Sequence, residues 1–224
     1  MIKVVTVFKR RAGLDLDAFR QHWVDRHAPL VCRLPGLRRY VQSQTLAGAY
    51  RKGEPAIDGC AELWFDDTAA LWGLAGSAEM AAVLADEPAL MDIASRREIV
   101  TEDVLIKEGP MPAGGVKNIE LVLRRPDLSP EEFHRYWSEV HGPLARHIPQ
   151  ILRYVQSHTR LAAYRDGREP ELDGVALTWF DDTTAMRASA LTPEYAATRA
   201  DEHNFVIEPL DFVITQERVI LAAA

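Results

Sequence analysis

The sequence predicts an α+β protein built from two tandem β-α-β-β-α-β units, and three observations carry that prediction. The 224 residues repeat themselves at an offset of 114. Each repeat opens and closes on runs rich in β-branched residues, with two stretches of helical periodicity between them. A Gly- and Pro-rich segment, 109–115, separates the repeats. The expected domains are therefore 1–108 and 116–221, with 109–115 as the linker.

In chain order, 2–9 and 116–124 are expected as opening strands. The first helix follows. In the second repeat Ser129-Pro130-Glu131-Glu132 combines a capping serine, a proline at the first helical position and a glutamate three residues on. Asp15 holds the same place in the first repeat. The helix carries F-x-x-x-W-x-x-x-H-x-P-L in both copies. Phe19, Trp23, His27, Leu30 and Leu34 then share one face, as do Phe133, Trp137, His141, Leu144 and Ile148. Pro29 and Pro143 lack an N–H, so a kink or a restart is expected there.

Strands at 40–45 and 60–65 come next, joined by a polar loop. Their segments recur as R-Y-V-Q-S and as D-G-x-A-x-x-W-F-D, which reads D-G-C-A-E-L-W-F-D in the first copy and D-G-V-A-L-T-W-F-D in the second. A second helix begins near Asp67 or Asp182 and restarts at Ser77 or Thr192; the acidic pairs Asp66-Asp67 and Asp181-Asp182 read as helix caps. Strands at 99–107 and 212–221 close the units. This order is the ferredoxin-like pattern, a four-stranded antiparallel sheet with helices on one face. The strands alternate poorly between apolar and polar residues, so both sheet faces should be covered. The second repeat's sheet is the natural cover, which makes the expected architecture an intrachain pseudo-dimeric α/β barrel.

Composition narrows the function. At 47% hydrophobic and 26% charged the chain is globular. A net charge of −7 argues against nucleic acid. No apolar run approaches the ~20 residues that span a bilayer, so no membrane partner is expected and a cytoplasmic location is. Cys32 and Cys60 align with Arg146 and Val175, which leaves no shared disulfide framework or cysteine-rich zinc site. His22 and His27 are five residues apart and diverge on a helix, so they do not form a metal pair.

Taken together, the three recurring segments resemble the EthD family of the dimeric α/β-barrel superfamily. The resemblance spans nearly the whole chain as two tandem domains. It implies the barrel architecture, links to degradation pathways and polyketide-type chemistry, and a pocket between the sheet and the helices of one unit. The family's motif histidine falls on His27 and His141.

A neutral imidazole in an apolar pocket can take and return a proton near neutral pH. Equally, a histidine at a helix end can bond a carbonyl and merely fix a kink. The sequence leaves both readings open. Tyr40 and Gln42 share one face of the second strand, as do Tyr154, Gln156 and His158. His158, which replaces Gln44, makes the second site the expected more reactive one. Trp23, Trp64, Trp137 and Trp179 are expected pocket walls. The candidate catalytic residues are thus His27, His141 and His158, with the tyrosines, glutamines and tryptophans around the ligand. The expected function is a cofactor-independent lyase, isomerase or cyclase acting on a small apolar cyclic or aromatic metabolite. The alternatives are a non-catalytic binding or accessory protein of a degradation pathway, and a haem-binding or oxygen-using member. The domains are expected to pair within the chain, with further homodimerisation open.

Overall fold

The computed structural model describes residues 1–222. It is a mixed α+β fold with eight strands. Contacts divide the chain into two compact units. The first comprises Met1–Val100 and the chain from Glu217 on; the second is Thr101–Gln216.

In the first unit, β1 (Ile2–Phe8) and β2 (Leu37–Thr45) flank β3 (Gly59–Phe65) in antiparallel register, with Val4 opposite Leu63 and Tyr40 also opposite Leu63. The helical elements are α1 (Leu16–His22), a π turn (Trp23–His27), α2 (Ala28–Val31), α3 (Thr68–Trp72) and α4 (Ala78–Leu90). In the second unit the antiparallel order is β4 (Arg97–Lys107), β6 (Arg153–Thr159), β7 (Gly174–Phe180), β5 (Val116–Val122) and β8 (Asp211–Leu221). Its helices are α5 (Pro130–Tyr136), a π turn (Trp137–His141), α6 (Gly142–Arg146), α7 (Thr183–Ser189) and α8 (Pro193–Asp201). At eleven residues each, β4 and β8 are long enough to contribute one segment to each unit. Every residue of β1 and of β7 is buried, in keeping with their poor alternation.

The capping expectations hold. Ser129 and Glu132 form a reciprocal capping box, and Asp15, Asp67, Ser77, Asp182 and Thr192 each accept a hydrogen bond from the first turn they precede. The prolines act differently from the expectation. The helix neither breaks nor restarts at Pro29; it runs through a π turn in which the Ala28 N–H bonds the Trp23 carbonyl, five residues back. Gly142 bonds Trp137 in the same way. A π turn inserts one extra residue and so moves the buried face by one position. Beyond His27 the buried residues are Ala28, Val31 and Leu34, while Leu30 is only half-buried; beyond His141 they are Gly142, Ala145 and Ile148, with Leu144 half-buried.

The D-G pair has a packing cause. Asp58, fully buried, accepts from the Arg10 N–H at 2.7 Å, and Asp173 accepts from the Arg124 N–H at 2.8 Å. A Cβ on Gly59 would lie 2.7 Å from the Trp23 ring, and one on Gly174 2.5 Å from Trp137. Only glycine lets each indole lie against the third strand.

Candidate functional site

The first unit holds a cavity of about 250 Å³ between its sheet and helices. Its apolar wall comes from Val31, Leu34, Leu74, Met80 and Val83, and its polar groups are Thr6, His27, Tyr40, Glu87, Arg96 and Glu98. The π turn sets the position of His27: it leaves the imidazole 5% exposed, on the buried side of a helix whose next turn has shifted.

His27 Nδ1 lies 3.0 Å from Asp86 Oδ2 on α4. A carboxylate can only accept, so Nδ1 carries the hydrogen and Nε2 keeps the lone pair. Among the described residues no group hydrogen-bonds that Nε2. Burial holds His27 below the ordinary histidine pKa, although Asp86 pulls the other way, so the ring is neutral at pH 7. Asp86 itself stays below the usual carboxylate range: burial acts to raise it, but bonds from His22 and His27 outweigh that. His22 Nε2 reaches the same carboxylate at 3.0 Å.

Tyr40 and Gln42 do converge on the helix. Trp23 Nε1 donates to the Tyr40 hydroxyl at 3.0 Å, while Gln42 Nε2 donates to that hydroxyl at 2.9 Å and to the Trp23 carbonyl at 3.1 Å. Gln42 thereby gives the opened carbonyl of the π turn a second partner. Burial pushes the Tyr40 phenol well up, so it stays protonated. Tyr40 and Trp23 line the cavity; Gln42 braces them without lining it. Trp64 does not reach it. On β3 the cavity takes Ala61, Leu63 and Phe65, which puts Trp64 on the opposite face. There it lies under the Lys3 ammonium and the Arg39 guanidinium, at 5.2 and 4.7 Å from the ring centroid. Trp179 is placed likewise, under Lys117 at 5.0 Å.

The second unit repeats the histidine arrangement. His141 Nδ1 lies 3.0 Å from Asp201 Oδ2, and burial again holds the ring below the ordinary pKa. Tyr136 and Asn204 take the place of His22, donating to Asp201 Oδ1 at 2.7 and 3.0 Å. Trp137, Tyr154 and Gln156 reproduce the brace. The cavity does not survive. Only about 60 Å³ remains beside His141, among Asn118, Glu120, Tyr195, Arg199 and Glu202. Burial, reinforced by Glu120, pushes the Glu202 carboxyl up to about 8.

His158 is not brought to His141's cavity. It lines a separate cavity with His134 and stacks on Trp137 at 4.4 Å. The aspartates and Glu87 were missed by sequence reasoning. The signal was present: Ala85-Asp86-Glu87 recurs as Ala200-Asp201-Glu202, 115 residues on and so one beyond the offset of the first helix. Among the described residues no three histidine, cysteine or carboxylate side chains gather closely enough to hold a metal ion. Likewise no described helix is long and apolar enough to cross a membrane.

Solved structures share the fold at low identity. An anthrone oxidase-like protein aligns over 100% of this chain and 96% of its own at 11% identity, with a TM-score of 0.68. A provisionally assigned monooxygenase of Fusobacterium nucleatum aligns over 100% and 95% at 8% identity and 0.62. A mutant chlorite dismutase of Candidatus Nitrospira defluvii aligns over 96% and 91% at 10% identity and 0.52. No curated protein matches the chain. The EthD domain profile matches residues 11–94 and again 125–208, and this chain therefore belongs to the EthD family, with one domain in each repeat.

Proposed function

We propose that the protein is a cofactor-independent proton-transfer enzyme of lyase, isomerase or cyclase type, acting on a small, mostly apolar cyclic or aromatic molecule in the first repeat. One observation carries the reading. His27 lines an apolar cavity with a neutral ring whose Nδ1–H is fixed by Asp86, which leaves Nε2 as a lone pair for a molecule in that cavity. In the reaction Nε2 takes a proton from the substrate, Asp86 stabilises the imidazolium that forms, and the same nitrogen returns the proton to another atom. A volume of about 250 Å³ suits a molecule of one or two rings. Arg96 supports the polar end: its buried Nε has no hydrogen-bond partner and sits 3.6 Å from Glu87 Oε1, beyond bonding distance. That N–H can donate to a substrate oxygen as charge develops on it.

The test is deuterium incorporation from D₂O into a panel of cyclic ketones, lactones and hydroxyarenes, followed by NMR. His27→Gln keeps the bond to Asp86 but cannot cycle a proton, and should slow exchange by roughly 10²- to 10⁴-fold. His141→Gln should leave it near wild type. Ring compounds that bind equally well to both proteins, with no exchange in either, would replace this reading with non-catalytic ligand binding.

A further inference from the structure

The first cavity is lined by a carboxylate whose hydrogen-bonding capacity the protein does not use. Glu87, the residue after Asp86 on α4, is 8% exposed and lines that cavity. Among the described residues no group hydrogen-bonds it. Arg96 Nε lies 3.6 Å from its Oε1, beyond bonding distance. The guanidinium is held instead by Glu98, whose Oε2 accepts from Arg96 Nη2 at 2.5 Å and from the Thr6 hydroxyl at 3.0 Å. A carboxylate taken out of water without donors is costly. In keeping with that, burial raises the Glu87 pKa against the pull of Arg96.

The second repeat treats the same residue differently. Its equivalent, Glu202, is closed from within: Arg199 Nη1, three residues earlier, donates to Glu202 Oε1 at 2.7 Å. Leu84 holds the place of Arg199 in the first repeat and cannot donate. The filled cavity thus supplies its glutamate with a donor, and the roomy one leaves that bond to whatever enters. Two features define the entrant. The Arg96 guanidinium already balances the Glu87 charge, so no cation is needed. The wall of Leu71, Leu74, Met80 and Val83 favours an apolar ring around the polar group.

We infer that the ligand of the first cavity carries a hydroxyl that donates to the Glu87 carboxylate, which makes the substrate class a hydroxylated ring, a phenol or a cyclic alcohol. Bonds from O–H to a carboxylate are short and stronger than neutral ones. A buried group that takes a hydroxyl also rejects the analogue lacking it. The inference deepens the proposed function and rests on its reading of the first cavity as the ligand site, but not on His27 acting as a base.

The experiment is calorimetry of the full chain with 5-, 6- and 7-hydroxy-1-tetralone, their methoxy counterparts and 1-tetralone, with exchange at the carbon beside the carbonyl followed by NMR in D₂O. A methoxy group keeps the ring and the oxygen but cannot donate. At least one hydroxy compound should bind about 10- to 100-fold more tightly than its methoxy partner. Glu87→Gln keeps the size of the side chain and should erase most of that preference. Leu84→Arg installs the clamp seen on Glu202 and should erase it too, so the test survives if one variant misfolds. His27→Gln should stop exchange yet keep the preference, which separates a failure of proton transfer from a failure of this inference. Equal binding of hydroxy and methoxy compounds, or a preference that persists in both Glu87→Gln and Leu84→Arg, would overturn it. Tighter binding of 2-aminotetralin, a cation at pH 7, than of any hydroxy compound would replace the hydroxyl with an ammonium group. No ring binding by the wild type would overturn the cavity as a ligand site and this inference with it.

Discussion

The cavities of the two repeats are lined from equivalent positions, yet one holds about 250 Å³ and the other about 60 Å³. Val4, Thr6, Met80, Val83 and Leu84 of the first correspond to Asn118, Glu120, Tyr195, Thr198 and Arg199 of the second. The larger and more polar set fills the space. The histidine, its aspartate, the indole and the tyrosine–glutamine brace are unaffected, because they are fixed by the π turn and by α4 or α8. A duplicated site can thus lose its room while keeping its imidazole–carboxylate pair intact. The pair alone is therefore no mark of activity, and the expectation that His158 makes the second site more reactive finds no support in where His158 sits.

The largest effect should come from exchanging the walls. Met80→Tyr with Leu84→Arg should close the first cavity and abolish binding of ring compounds, read by calorimetry, while far-UV circular dichroism stays unchanged. Binding retained within about threefold, less than 1 kcal/mol, would remove volume as the difference between the repeats. A smaller effect is expected from Asp86→Asn, which leaves the cavity open but loosens the ring. The exchange rate should fall by about 10- to 100-fold, the usual worth of a group that orients a functional imidazole. The pH profile sharpens the point. A base works when neutral, and His27's pKa is held below the ordinary value, so wild-type activity should persist at neutral pH and be lost only as pH falls below about 6.5. Asp86 raises that pKa, so Asp86→Asn should move the acid limb lower still; an upward move would contradict the assignment.

The smallest effect concerns the filled cavity. The Glu202 carboxyl sits at about 8 when folded, above its ordinary range. Its contribution to stability is therefore whole below about pH 4.5 and shrinks as pH rises toward 8. Glu202→Gln should raise the melting temperature at pH 9 by about 2–4 °C, equivalent to ~1 kcal/mol in a chain of this size, and give less or nothing at pH 5. A shift independent of pH would mean that Glu202 does not titrate in the filled cavity.

Most of the fold could be read from the repeat, because strand runs and caps are local signals that both copies state, and a Gly/Pro break separates the copies. The π turn could not. It depends on a bond to the fifth residue back, supported across the sheet by Gln42 or Gln156, and no local propensity announces that. The spacing did hold a hint: Phe19, Trp23, His27 and Val31 step by four each time, faster than a 3.6-residue helix allows on one face. Trp64 and Trp179 were expected in the pocket because they are large and recur; strand parity with Ala61 and Phe65 would have turned them away. His158 shares Gln156's face, but two residues along a strand is about 6.6 Å, enough to carry it from one cavity to the next.

The division of β8 bears on how the protein is made. The first unit includes residues from Glu217 on, and Ile220 and Leu221 pack against its core of Phe8, Phe19 and Trp23. A ribosome adds about 5–20 residues per second, so Val100 is synthesised several seconds before that last segment exists. During this interval the repeat carrying the roomier cavity must wait, incomplete, for the second repeat to be translated. The nascent chain cannot finish its halves in the order in which they are written.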